Sequence, residues 1–186
     1  MALALPVLAA VALGLVLGGR LGNLAGIELR STWLFFTAIG LQLVAFPVGA
    51  APWRTPDVLA SVLWVISYGL LVVAAVLNRR ITGVPMVATG MALNLAAILA
   101  NRGTMPVRLA AMHDAGRIDA VQANSTAMSD PNLSWLVDRW AAPDWIPLAN
   151  VFSVGDVVIA VGAVVIVLAG MGVRIARLPA GSDARI

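Results

Sequence analysis

Cysteine is absent from the chain, and so is lysine. Without cysteine there is no disulfide framework, no thiolate metal site and no cysteine nucleophile. His113 is the single histidine, so a multi-histidine metal or haem site built from this chain alone is excluded. No metal and no cofactor is expected. Charge is scarce too: 11% of the 186 residues are charged, against about 25% in soluble domains. The 12 basic residues are all arginine, a bias that fits GC-rich codon usage. They are scattered, so nucleic acid is not an expected partner. No G-x-S-x-G, H-E-x-x-H or P-loop occurs. Paired intramembrane aspartates are missing as well. No catalytic residue is assigned, and the balance leans against an enzyme.

What the chain has in abundance is apolar sequence. Hydrophobic residues make up 61% of it and the mean hydropathy is +0.95. That predicts an all-α membrane protein, one domain over residues 1–177, with a mobile tail at 178–186. Five apolar runs are read as transmembrane helices, at about 2–19, 32–48, 56–77, 84–101 and 153–173. Their lengths suit a hydrocarbon core about 30 Å thick. The first run has no basic n-region, and no A-x-A-like cleavage site precedes Gly19-Arg20, so it reads as a retained helix. Gly14 and Gly18 in it form a G-x-x-x-G, either a packing motif or ordinary membrane-helix composition.

Local signals bound these helices. Thr55-Pro56-Asp57 reads as cap, first-turn proline and dipole-matched acid. Ser153 and Asp156 have capping-box spacing. The polar segment 102–152 is too long for a structureless loop, so an extracytoplasmic helical cap is predicted between helices four and five. One helix would start near Pro106 and end near Gly116. A second would follow Asp130-Pro131, with Leu133, Leu136, Val137 and Trp140 as an apolar stripe on the membrane surface or the bundle. Trp135, Trp140 and Trp145 fit an aromatic belt.

Arginine placement sets the expected orientation. Segments 20–31, 78–82 and 174–186 carry Arg20, Arg30, Arg79, Arg80, Arg174, Arg177 and Arg185. The short loop on the other side carries only Arg54. The positive-inside rule then puts the amino terminus outside a bacterial cell membrane and the carboxyl terminus in the cytoplasm, with 102–152 facing outward.

Polar groups within the apolar runs are the candidate site residues. Asn94 and Asn101 are seven apart, so they lie within about 20° on one helix face. Gln42, Asn94, Asn101, Arg102, Ser153 and Asp156 are expected to converge on a polar cleft at the outer face, with Arg102 placed to pair with Asp156. Gln42 and Asn94 read equally as interhelical hydrogen-bond glue. Ser153 and Asp156 read equally as a helix cap. Gly103, Met105 and Pro106 form a structural corner, where glycine permits a sharp turn and proline stops the helix.

Several stretches resemble landmarks of one family: Gly19-Arg20-Leu21, Leu41-Gln42, Leu93-Asn94, Asn101-x-Gly103-x-Met105-Pro106-Val107, Leu136-Val137-Asp138 and Val151-Phe152-Ser153-Val154-Gly155-Asp156. They resemble the bacterial "domain of unknown function 5317" family of small multipass membrane proteins, over roughly residues 10–170. The chain departs from that pattern at Arg102, where a second glycine often stands. It also lacks the expected histidine segment around Asn124–Asp130, so no histidine role is carried over. The resemblance implies a single membrane domain and supplies no activity. The function expected is therefore a non-catalytic accessory subunit, or a component that binds a small ligand or lipid head group. The alternatives are a membrane enzyme acting on a lipid-linked substrate, or a transport component. Expected partners are the lipid bilayer and other membrane proteins or further copies of the chain.

Overall fold

A computed structural model describes residues 4–47, 53–108, 111, 125–141 and 151–173. Among the described residues the α-helices that can be bounded are α1 (Ala4–Val16), α2 (Trp33–Ala45), α3 (Asp57–Leu77), α4 (Val84–Ala100) and α5 (Val154–Gly170). A 3-10 turn covers Leu21–Gly26. The helices pack in the row α2–α3–α4–α5–α1, and the 3-10 turn also packs against α5.

The helices are shorter than their apolar runs. Only α3, with 21 residues and a mean hydropathy of 2.3, is long and apolar enough by itself to cross a membrane; the other four have 13 to 17 residues. Local chemistry trims them. Pro47 lies just beyond α2, and the chain leaves the helix at Phe46. Gly18 (φ +82°) and Gly172 (φ +83°) take left-handed turns after α1 and α5. Gly18 thus lies beyond the helix end with open space around it, and only Gly14 of the G-x-x-x-G meets a neighbour, Met171. Thr55 does not cap α3. Its hydroxyl donates to the Val44 carbonyl at the end of α2, and Pro56 takes the N-cap position.

Small residues let α4 and α5 approach closely. A Cβ on Gly90 would lie 2.5 Å from the Gly155 carbonyl oxygen, and one on Gly83 would lie 2.6 Å from that of Gly162. Two glycines seven apart on each helix meet two on the other, in antiparallel order. The buried face of α4 also carries Asn94 and Ala97, and that of α5 carries Ile159. Large apolar side chains point the other way. Twenty-eight stand exposed among the described residues, including Val16 at 83%, Phe36 at 74% and Val58 at 81%.

The cap is not built as expected. Met105–Arg108 is a strand, β1, paired in parallel with β2 (Ser125–Met128). Val107 bridges Asp138 on β1's other side, through Arg108 N–H to the Asp138 carbonyl (3.0 Å) and Asp138 N–H to the Pro106 carbonyl (3.1 Å). The helix expected to start near Pro106 is therefore absent over 105–108, while Ala111 within its span is helical; the rest of the span lies outside the described residues. Met105 precedes a proline, which disfavours helical backbone there. Residues 132–136 form turns, not the amphipathic helix expected after Pro131. Leu133 is left-handed (φ 51°), and the adjacent Leu136 and Val137 are both buried. Leu136 packs with Ala97, Ile98 and Met105 in a small core that Trp64 and Tyr68 flank. β3 (Trp140–Ala141) pairs antiparallel with β4 (Val151–Phe152), leading the chain into α5. Among the described residues the fold is mostly helical, with short strands at 105–108, 125–128, 140–141 and 151–152, inside the segment where a helical cap was expected. Trp145, His113 and the tail 178–186 lie outside the described residues.

Candidate functional site

Three of the sequence-predicted residues meet where α5 begins. Ser153 is the N-cap of α5. Its hydroxyl accepts from Asp156 N–H (3.1 Å), and Ser153 N–H donates to Asp156 Oδ2 (3.0 Å), a reciprocal capping box. Asn94 reaches across from α4. Its Nδ2 donates to Asp156 Oδ1 (2.9 Å) and to the Tyr68 hydroxyl on α3 (3.3 Å). The Ser153 hydroxyl lies 2.9 Å from both Asn94 Oδ1 and Asp156 Oδ2, so its single proton serves one of two acceptors. Asn94 is 3% exposed and Ser153 is fully buried. Gly155 makes the contact possible, because a Cβ there would fall on the Asn94 amide. The cluster ties α3, α4 and α5 together and uses its donors and acceptors internally.

The other predicted residues lie apart from this cluster. Gln42 Nε2 donates to the Ser67 hydroxyl (3.2 Å), joining α2 to α3, and Ser67 in turn donates to the Trp64 carbonyl (2.8 Å). Asn101 ends α4. Its amide pairs with the Asn132 backbone at two points, donating to the carbonyl (3.0 Å) and accepting from the N–H (2.9 Å), and it also donates to the Ala97 carbonyl (2.8 Å). Arg102 is exposed and left-handed (φ 60°), and no ion pair joins it to Asp156. Its backbone explains this. Arg102 and Gly103 (φ +83°) both turn left-handed as α4 ends, and Gly103 N–H closes on the Ile98 carbonyl (2.9 Å). The turn sends the Arg102 side chain outward while Met105 and Pro106 pass into the interior.

Two residues were missed. Tyr68, the single tyrosine, was legible as a polar tip inside an apolar run. Asp138 lies off the apolar stripe Leu133, Leu136, Val137 and Trp140, yet it is 7% exposed. Burial first, and repulsion from Asp156 second, push its carboxyl up to about 8. No pattern in the sequence marks that burial, because it follows from pairing with β1.

A cavity of about 470 Å³ opens at the same end of the bundle, between α2, α3 and the α4 corner. Arg54, Thr55, Asp57, Ser61, Thr104 and Thr126 line it. Its size falls within the roughly 300–1,000 Å³ of small-molecule sites. Among the described residues, no group of three or more acids or histidines stands ready for a metal ion.

No curated protein and no solved structure matches the chain. A family described as "Family of unknown function (DUF5317)" matches residues 26–168, a span that holds Tyr68, Asn94, the Asn101–Pro106 corner, Asp138, Ser153 and Asp156. The chain belongs to the DUF5317 family.

Proposed function

We propose that this protein is a five-span component of the bacterial cell membrane that binds a small polar ligand or a lipid head group in the cavity beside Arg54 and Asp57. The bilayer reading is carried by the reversed placement of apolar side chains. Leaving a half-exposed leucine or phenylalanine in water costs about 1 kcal/mol. Twenty-eight such side chains forgo burial worth tens of kcal/mol in water, a cost that a water-soluble fold of this size would not leave unrecovered. In lipid that cost disappears, and packing of small residues holds the helices together. The best apolar window of α3 is only 22% buried, which fits a lipid-facing helix better than the core helix of a soluble domain. Helices α1, α2, α4 and α5 extend about 20–26 Å at 1.5 Å per residue. Their flanking turns would complete the crossing.

The cavity supports a binding role over a catalytic one. Arg54 and Asp57 offer both charge signs, while Ser61, Thr104 and Thr126 offer hydroxyls. In contrast, in the Asn94–Ser153–Asp156 cluster Asn94 and Ser153 are buried, and half-buried Asp156 is held by hydrogen bonds to both. The accessory-subunit version of this reading adds a stoichiometric membrane partner. Native mass spectrometry of protein released from its own membranes tests the binding role. A retained small molecule is expected, lost in the Arg54→Gln/Asp57→Asn double variant. Identical adducts on both proteins would sink the reading.

A further inference from the structure

The opposite end of the bundle carries a second cavity, of about 210 Å³. That is the volume of about seven waters at roughly 30 Å³ each, room enough for a phosphate group. Arg30, Arg79 and Arg80 line it, together with Glu28 and Asn78. We propose that this cavity binds the phosphate group of an anionic ligand, with the three arginines as its recognising cations.

The arginines are brought together by a built feature. Asn78, the C-cap of α3, is 4% exposed. Its Oδ1 accepts from Arg30 N–H (2.7 Å) and its Nδ2 donates to the Arg30 carbonyl (3.0 Å) and the Ala74 carbonyl (2.8 Å). Every hydrogen-bonding position of that amide but one lone pair is used. The loop before α2 is thereby fixed against the turn between α3 and α4, and Arg30 sits beside Arg79 and Arg80. Three positive charges against one negative are held at one cavity, and no ion pair relieves them among the described residues. The negative end of α3's dipole favours Arg79 and Arg80 there, but not Arg30, which comes from another segment. Only Arg79 reaches a helix carbonyl, that of Val76 (3.4 Å). Arg30 and Arg80 make no side-chain hydrogen bond among the described residues. A guanidinium fork matches phosphate oxygens two at a time, and a basic pocket between membrane helices suits a phospholipid head group.

The phosphate has two possible sources, a phospholipid or a soluble anion. The lipid source rests on the bilayer reading above; the soluble source does not. Purified full-length protein is placed in nanodiscs of phosphatidylcholine with or without phosphatidylglycerol, and separately titrated with inorganic phosphate in neutral detergent. Phosphatidylglycerol retained in native mass spectra, and reduced at least tenfold in Arg30→Gln/Arg80→Gln, supports the lipid source. Millimolar phosphate raising the thermal midpoint of wild type but not of that variant supports the soluble source. Arg30→Lys/Arg80→Lys keeps the charge and is expected to lose part of the effect. Arg20→Gln, at the same end but outside the cavity, is expected to behave as wild type. Equal losses in Arg20→Gln and in the double variant overturn the site in favour of general surface charge. So does the absence of both phosphatidylglycerol and phosphate binding. Matching thermal midpoints of variant and wild type in phosphate-free detergent verify folding.

Discussion

Asn94 and Asp138 carry most of the chemistry at the scale of single residues. Asn94 is one amide serving three helices. Replacing it by leucine removes the donor to Asp156 and Tyr68 and leaves the Ser153 hydroxyl with Asp156 Oδ2 as its acceptor. Interhelical hydrogen bonds in membranes contribute about 0.6–1.7 kcal/mol, and a buried group left unsatisfied costs about 1–3 kcal/mol. Asn94→Leu is therefore expected to lose about 2–4 kcal/mol, measured by denaturant unfolding in mixed micelles. A loss below about 0.5 kcal/mol would show that the cluster does not lock the helices. Asp138 gives the fold a pH dependence of calculable sign. Its carboxyl titrates near 8 when folded, against 3.8 for the ordinary group. The folded state therefore holds a proton that the unfolded state releases between those values. That contribution is complete below about pH 4 and is lost as pH rises through about 8. The thermal midpoint is expected to fall between pH 5 and pH 8.5, by an amount on the order of a few kcal/mol in stability. Asp138→Asn is expected to flatten the profile; an unchanged slope would assign the titration to another group.

At the scale of elements, the α4–α5 contact separates glycines that matter from glycines that do not. Gly155 has no room for a Cβ, which would collide with Asn94 and approach the Gly90 carbonyl oxygen to 2.7 Å. Gly69, in the middle of α3, has nothing within 4 Å of that position. Gly155→Ala is expected to destabilise by several kcal/mol, because overpacking costs about 1–3 kcal/mol and the Asn94 hydrogen bonds are displaced as well. Gly69→Ala is expected to be neutral or to gain up to about 1 kcal/mol from helix propensity. The same unfolding assay ranks the two; equal effects would contradict the close approach. Helix ends were legible where a single residue decides them, as at the Ser153–Asp156 box. The cap was not legible. The spacing of Leu133, Leu136, Val137 and Trp140 suits a helix, yet Leu133 and Trp140 are each 41% exposed. Pairing of Asp138 with β1 and of Asn132 with Asn101 overrides that local periodicity.

At the scale of the whole molecule, the two ends differ in chemistry. One carries the strands, the Arg54–Asp57 cavity and the polar lock. The other carries the arginine cavity and its Asn78 clamp. The chain has no native cysteine, so single cysteines report orientation cleanly. With the cap end outside the cell, Thr126→Cys is expected to react with a membrane-impermeant maleimide in intact cells. Glu28→Cys is expected to react only after lysis. Reaction at position 28 in intact cells would reverse the orientation, and equal reaction at both positions before lysis would argue against a spanning bundle.

Composition and periodicity alone determined the predominantly helical character, the number of apolar helices and the capping box at Ser153. These rest on interactions within a few residues of each other. The motif stretches alone also identified the family. Tertiary structure decided the rest. It brought Tyr68 and Asn94 to Asp156, took Gln42 to Ser67 and Asn101 to Asn132, and left Arg102 at the surface. It paired Met105–Arg108 with Ser125–Met128 as strands and buried Asp138 beside them. The physical reason is the same in each case. A buried polar group takes whichever partner the packing of distant segments supplies. Around the Asn101–Pro106 corner, one left-handed turn at Arg102 and Gly103 determines which side chains face the interior.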